Sequence, residues 1–414
     1  MSFSNAQQQD LLYFDLLITN VDTIYKAPQP VYFNETRTTP FLYCPEDYEM
    51  SVVRFTLDTQ TLPVIIPPII PYGPLNNGYS GPDPSGNYGD PNKTIYAVAM
   101  TYSEVIGGSN VDFVAEQYIT FVAQDQTAPE PLVLVPNQKQ DNSQGYYNIY
   151  SYQYFIGLIN KAIGLCFNDL NGQVQVAGGT LPTTYAPIMT WNTANSTATV
   201  NGDVKAFSPF AGNPISLYFN PALAQIFSTL PFSITNSTNI SNIDAFRAYQ
   251  LLFTYVAEKT EQNTQPYPFG SNPQDLSGNY LFEALQCSQE LSTTNNWNPV
   301  VSIVFTSNTL PIIPSQVTQP LLFVDGVLQT STSNNNNISN VITDFSAETP
   351  LRPFIYYVPT AEFRMISLVG NRPLNNIDVA VYYKTRTADL IPFRLGAGGS
   401  ASLKILFRKK NYKS

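Results

Sequence analysis

The sequence predicts an all-β sandwich with large insertions and one long amphipathic helix. Three observations carry this expectation: 33 prolines in 414 residues, many short segments of strand-like alternation, and a single stretch with helical periodicity. Proline fixes φ and removes a backbone donor, so this many of them disfavour long helices and favour short strands joined by fixed turns. No internal repeat is visible, which argues against propellers and solenoids.

The strands follow in order. Leu11–Ile18 is the first, and Val31–Asn34 is a short extended piece. Ser51–Leu57, SVVRFTL, alternates apolar and polar residues and reads as a strand with one buried face. Leu62–Pro67 is broken by proline, as an edge strand is. Residues 72–92 are dense in Gly, Pro, Asn and Asp and predict an exposed loop. Its Asp83 and Asp90 match no calcium-loop spacing. Strands resume at Thr94–Tyr102 and Val111–Val122, and the spacing of Ile149, Tyr152, Ile156, Ile159, Ile163 and Cys166 predicts a helix over roughly 148–168. A shorter helix starts near Asn220-Pro221, with Asn as cap and Pro in the first turn. The final third is rich in strands: Val300–Thr306, Leu321–Val324, Phe354–Val358, Phe363–Leu368, Ile377–Lys384 and Ser402–Phe407. Asn334–Asn337 is a four-Asn tract in a loop.

Composition limits function. Charged residues are 12%, about half the usual share, and Tyr and Phe number 27 and 25. A surface built from Asn, Gln, Ser, Thr and Tyr packs against neighbours with few charges to desolvate. There are no histidines, which removes His-activated nucleophiles and the commonest metal ligand. Cys44, Cys166 and Cys287 are widely spaced and odd in number, so neither a disulfide framework nor a zinc site is expected. No P-loop occurs. Gly396–Ala401 fits a GxGxxA pattern, but no βαβ unit surrounds it, so it reads as a glycine-rich turn before a closing strand. The nominal carboxylate pairs, Glu283 with Glu290 and Asp344 with Glu348, read as surface or interface charges. The start, MSFSNAQQQD, has neither a basic nor a long apolar stretch, so no secretory leader is expected; nor is membrane insertion. No cofactor or metal is expected, and the chain is read as a non-enzyme.

Net charge is −10, unevenly placed. Residues 384–414 hold eight of the 20 basic residues and one acid, Asp389. Lys404, Arg408, Lys409, Lys410 and Lys413 form a basic C-terminal end on an acidic body. They predict a face turned to an acidic partner; the plainer readings are a solvated tail and internal pairing.

Several segments form a recognisable set: Asn34-Glu-Thr-Arg37 with Pro40, Asp47-Tyr48 and Ser51–Leu57; Trp297–Thr306 leading to Leu310-Pro311; Thr343-Asp-Phe345, Ile355–Pro359 and Glu362–Met365; and Leu374–Val379, Tyr382–Lys384, Ile391-Pro392 and Ala401–Phe407. Together they resemble the penton (minor capsid) proteins of virophages and polinton-like viruses. In such a particle the basic end is expected to face the interior or a partner, with packaged DNA or an internal capsid protein as countercharge. The resemblance covers about half the chain, mainly its two ends, and takes in Arg37, Arg54, Arg364 and Lys404. It implies a jelly-roll β-sandwich formed by both chain ends, 1–130 plus 275–414, with 131–274 as an insertion containing the helix. It also implies a virion protein at a capsid vertex, made in the host cytoplasm or nucleus and assembled as a homopentamer beside major capsid proteins. The alternative is a receptor- or carbohydrate-binding spike or fibre-type β protein.

Overall fold

A computed structural model describes residues 10–23, 26, 28–71, 92–132, 134, 140–234, 247–255, 283–313, 321–324, 327–330, 340–346, 354–357, 364–387 and 389–410. The loop expected at 72–92 (all but Asn92) and the Asn334–Asn337 tract lie outside the described residues. The chain divides into two units, residues 1–63 with 298–414, and residues 64–297.

The first unit is a sandwich of eight principal strands: β1 (Leu11–Thr19), β2 (Tyr32–Thr36), β3 (Tyr48–Asp58), β4 (Val300–Thr306), β5 (Val341–Ser346), β6 (Phe354–Tyr357), β7 (Asn376–Thr385) and β8 (Ser400–Lys409). One sheet runs β1-β8-β3-β6 and the other β2-β7-β4-β5, all neighbours antiparallel. First pairs with last, second with seventh, third with sixth and fourth with fifth. A long hairpin wrapped round a core gives this order, and it is the jelly roll. Short pieces extend it: Ile366–Ser367 pairs with β3, Leu390–Pro392 with β7, and Gln29–Pro30 with Arg394–Leu395. Leu321–Val324 and Val327–Thr330 form a hairpin.

Alternation explains the core. On β1, Phe14 and Leu16 turn inward; on β8, Ala401, Leu403, Ile405 and Phe407 do. Phe55 of β3 meets Phe305 of β4 at 5.2 Å between ring centroids, joining the two sheets. On β3, strict alternation breaks at Val52-Val53-Arg54. The β3–β8 register shifts there, with Lys404 opposite Arg54 and Ile405 opposite Val52. Val53 is therefore the extra residue of a β-bulge, and it lets both Val52 and Phe55 face the core. The Gly396–Ser400 segment is a turn, with Gly398 at φ +79° and Gly399 N–H donating to Gly396 O at 3.0 Å.

The second unit has two sheets and a long helix. Lys93–Ile106 and Ser109–Thr120 form a hairpin whose two turn residues, Gly107 and Gly108, have φ of +59° and +85°, as a two-residue turn of primed type requires. The hairpin pairs through Lys93–Ile106 with Ser216–Phe219, and the sheet continues to Tyr249–Leu251 and Phe232–Ile234. The other sheet runs Thr254–Tyr255, Ala284–Ser288, Thr197–Asp203, Ile188–Asn192. The division between units thus lies at 63/64 and 297/298, where the sequence reading set 130/131 and 274/275. The hairpin of 93–120, assigned by sequence to the sandwich of the chain ends, finds its partners in the second unit instead. The stretch 131–274 lies wholly inside that unit.

The helix α1 spans Tyr152–Val176, later at both ends than the expected 148–168. Its buried row continues through Leu170 and Val174, four residues apart after Cys166; the polar residues between them disguised it. At the start, Ile149 bridges to Ile65 rather than joining the helix. Asn160 is buried in α1 and takes both backbone groups of Met189, accepting from its N–H at 2.7 Å and donating to its carbonyl at 2.8 Å. This side chain covers part of an edge strand that would otherwise be open. The short helix Pro221–Ile226 is capped as expected, Asn220 Oδ1 accepting from Leu223 N–H at 3.1 Å.

Two buried polar groups yield predictions. Asp378, on β7, is 1% exposed. Its Oδ1 accepts from the Ser307 hydroxyl at 2.6 Å, the Thr309 hydroxyl at 2.6 Å and Thr309 N–H at 2.9 Å, and Asn308 N–H donates to its carboxylate at 3.1 Å. Burial is the largest single influence and pushes its pKa up, but these bonds together hold it below the usual carboxylate value. Asp378→Asn should cost about 2–3 kcal/mol, because a donor amide replaces an anion ringed by donors. A carboxyl depressed in the fold contributes stability that is present above about pH 4 and fades as pH falls through its native pKa. Circular-dichroism melts from pH 7 to 3 should show this acid loss in the parent and a smaller one in the variant. Asn160→Ala leaves Met189 N–H and C=O unpaired and should cost about 2–4 kcal/mol. The chain's two tryptophans, Trp191 and Trp297, both lie in the second unit, so their fluorescence transition in denaturant reads that loss.

Candidate assembly surface

Alternation that buries Phe14 and Leu16 turns Leu11, Tyr13, Asp15, Leu17 and Thr19 to the outer face of the β1-β8-β3-β6 sheet. Across it, Asp15, Lys404 and Arg54 are in register on β1, β8 and β3. Arg54 Nη2 reaches over the central strand to both Asp15 oxygens at 3.0 Å. Lys404 Nζ sits 5.2 Å from the centre of the Tyr13 ring, a cation–π contact. One row further, the Thr56 and Ser402 hydroxyls share a hydrogen bond of 2.6 Å between Leu17 and Tyr356, which are 73% and 64% exposed. Phe354 and Tyr13 are also exposed. The face is thus a hydroxyl-floored surface of few charges edged by large apolar side chains, the kind that marks a protein contact.

The basic end is built differently from a free tail. β8 is the inner strand of its sheet, so Arg408 and Lys409 belong to the ladder. Arg408 donates through Nε and Nη2 to Glu49 Oε1, the Nε bond at 2.8 Å. Lys410 Nζ donates to the carbonyls of Glu46 and Leu368, and its N–H donates to Asp47 O at 2.8 Å. Lys409 N–H bonds Asp10 O at 2.9 Å. Arg408 is therefore paired with the Glu49 carboxylate, and Lys410 is held by the backbone carbonyls of Glu46, Asp47 and Leu368. Lys404 lies on the outer face, and Lys413 is outside the described residues.

Arg37 and Arg364 serve similar local ties. Arg37 Nε bonds Glu35 Oε1 at 3.0 Å, and its guanidinium lies over Phe14. Arg364 Nη1 bonds Asp344 Oδ1 at 2.9 Å. Sequence reasoning missed Asp15 and Glu49, whose roles follow only from cross-strand register. It also missed Asp378, which one polar residue within an apolar strand could have flagged.

Glu283 and Glu290 bracket an extended strand and stand on the order of 20 Å apart by strand rise, beyond glycosidase spacing. Asp344 is paired with Arg364, and Glu348 is outside the described residues. Cys166 and Cys287 are buried thiols pushed up to about 12, which leaves little thiolate. Among the described residues no group of three His, Cys, Asp or Glu converges for a metal, and no helix is long and apolar enough to cross a membrane.

Comparison with known proteins gives these features a family. The model of the Sputnik minor capsid protein V18/19 family matches residues 12–409. Protein V18 of Sputnik virophage, which has no assigned function, is 30% identical over 178 residues, 42% of this chain and 92% of that protein. Structural protein V19 of the same virophage is 28% identical over 144 residues, 33% of this chain and 61% of V19. A chain in the cryo-EM structure of the Sputnik virophage superposes with a TM-score of 0.70 at 24% identity, covering 97% of this chain and 98% of that one. The mavirus penton protein superposes at 0.54 and 13% identity, covering 97% and 99%. The jelly roll is thus the fold of capsid chains, and the match across nearly the whole length makes this chain a member of the Sputnik minor capsid protein V18/19 family, a structural component of a virophage capsid.

Proposed function

We propose that the chain forms homopentamers that occupy fivefold capsid vertices beside the major capsid proteins, and that it has no catalytic activity. Family membership supports the capsid role, and the penton name of the mavirus protein with the same fold supports the vertex. The observation that carries the reading is the outer face of the β1-β8-β3-β6 sheet, where Asp15 is paired with Arg54, Lys404 lies over Tyr13 and apolar side chains stay exposed. Contacts of this kind close into a ring when the rotation relating copies divides a full turn. Synthesis in the host cytoplasm or nucleus accords with three cysteines kept as thiols.

Native mass spectrometry of the purified 45.9 kDa chain tests the reading. A species near five masses, roughly 230 kDa, is expected. A trimer would favour the spike or fibre alternative, and glycan binding by that trimer would establish it.

For the basic end, we infer two roles split by residue. Arg408 and Lys410 fasten the C-terminus to the Glu49 carboxylate and to the carbonyls of Glu46 and Leu368, while Lys409 and Lys413 supply the charge offered to packaged DNA or an internal capsid protein. Replacing both Arg408 and Lys410 by Gln should lower stability by about 1–2 kcal/mol, a modest value because Arg408 is partly exposed. Replacing Lys409 and Lys413 by Gln should leave the melt unchanged and weaken binding of a 30-base-pair duplex at low salt, with a shallower salt dependence. If duplex binding is the same in parent and variant, the end is a strap alone.

A further inference from the structure

We propose that the outer edge of β1, unpaired among the described residues, is the place where a second copy of this chain docks, adding its backbone to the β1-β8-β3-β6 sheet. The inference rests on the homo-oligomeric reading above and names the surface that joins the copies.

The two strands β1 and β8 pair residue for residue over nine positions with no bulge. At one end Asn20 N–H donates to Gly399 O at 2.9 Å, and at the other Lys409 N–H donates to Asp10 O at 2.9 Å. In an antiparallel ladder the residues that turn N–H and C=O toward a given partner alternate. Even-numbered residues therefore face β8, and Leu11, Tyr13, Asp15, Leu17 and Thr19 turn their backbone groups to the open side. Among the described residues, nothing bonds those outward groups. The edge thus offers up to five donors and five acceptors along about 30 Å, at strand rise.

Native edge strands of this length are guarded by proline, lysine, bulges or a covering element, because an open edge recruits other chains. The sequence LLYFDLLIT contains no proline, lysine or glycine. Its one charge, Asp15, is matched by Arg54. The same outward residues present Tyr13, 53% exposed, and Leu17, so an arriving strand meets both backbone partners and apolar side chains. With that single charge matched on its own sheet, the edge suits an occupant of few charges, and only 12% of this chain is charged. A symmetric pairing of β1 with its own copy about Asp15 sets two carboxylates opposite each other, which disfavours a two-fold dimer. Area points the same way. A strip about 30 Å by 20 Å gives about 600 Å² per copy, short of the ~800 Å² per partner of a standard interface. In a closed head-to-tail ring each copy makes two such contacts.

The test is residue-resolved amide exchange on the full chain, above and below the concentration at which the oligomer measured by native mass spectrometry dissociates. Amides of residues 11, 13, 15, 17 and 19 should slow at least tenfold in the oligomer, while those of 12, 14, 16 and 18 stay slow in both states. In addition, Leu17→Pro and Tyr13→Pro remove outward donors without touching the β8 ladder, and should raise the dissociation concentration at least tenfold with unchanged circular dichroism. If a proline variant fails to fold, the exchange data on the parent chain still decide. A pentamer whose odd-numbered amides exchange freely overturns the inference and spares the pentamer. Another oligomer with those amides protected overturns the pentamer and spares the inference. A strict monomer overturns both.

Discussion

The first unit depends on the insertion of β8 between β1 and β3. Residues 400–409 carry an inner strand of the sheet, and among the described residues β1 has no other strand partner. Nearly 390 residues separate Leu11–Thr19 from the strand that holds them. Such pairing brings a large loop-closure cost and is repaid only when the whole strand docks. The sequence of β8 is suited to that burden: Ala401, Leu403, Ile405 and Phe407 fill the core, while Lys404 and Arg408 find partners on the strands either side. The glycine turn at 396–399 brings the strand in at the correct register, through the bonds between Asn20 and Gly398–Gly399.

The same placement changes the meaning of the basic C-terminal end. On sequence alone, positive residues past an apolar run look like a tail available to a polyanion. In the fold, Arg408 and Lys410 meet Glu49 and the carbonyls of Glu46 and Leu368, so part of the charge asymmetry is cancelled at short range. A charge near the end of a chain is free only when its strand lies at an edge or ends before it. The linear charge pattern was legible; its neutralisation by a segment some 360 residues earlier was not.

Other features divide along the same line. Leu11–Ile18 and Ser402–Phe407 were readable as strands from their apolar runs, while which residues of Leu11–Ile18 face the core is set by burial that its almost wholly apolar sequence does not record. The Val52-Val53 pair defeats simple alternation, since a bulge rather than a face change accommodates it. The hairpin of 93–120 is plain as two strands, yet its membership of the second unit is set by pairing with Ser216–Phe219, which no local pattern records. The helix was recognised by its apolar row and cut short where Asn168, Asp169 and Gly172 interrupt it, although Leu170 and Val174 keep the period. Resemblance located both chain ends as one sandwich. The cross-strand ties of Arg54 to Asp15 and Lys404 to Tyr13 needed the register.

A capsid protein needs a surface that is stable in water when alone and attractive to neighbours when concentrated. Here Asp15 and Arg54 of the outer sheet face are paired with each other, and the hydroxyl and aromatic side chains remain for contact. The most direct test is a cryo-EM reconstruction of the virophage particle that contains this chain. The account predicts five copies around each fivefold axis, with β1 at the boundary between adjacent copies. Density for the chain at threefold or general positions, or as a three-copy projection, would contradict it.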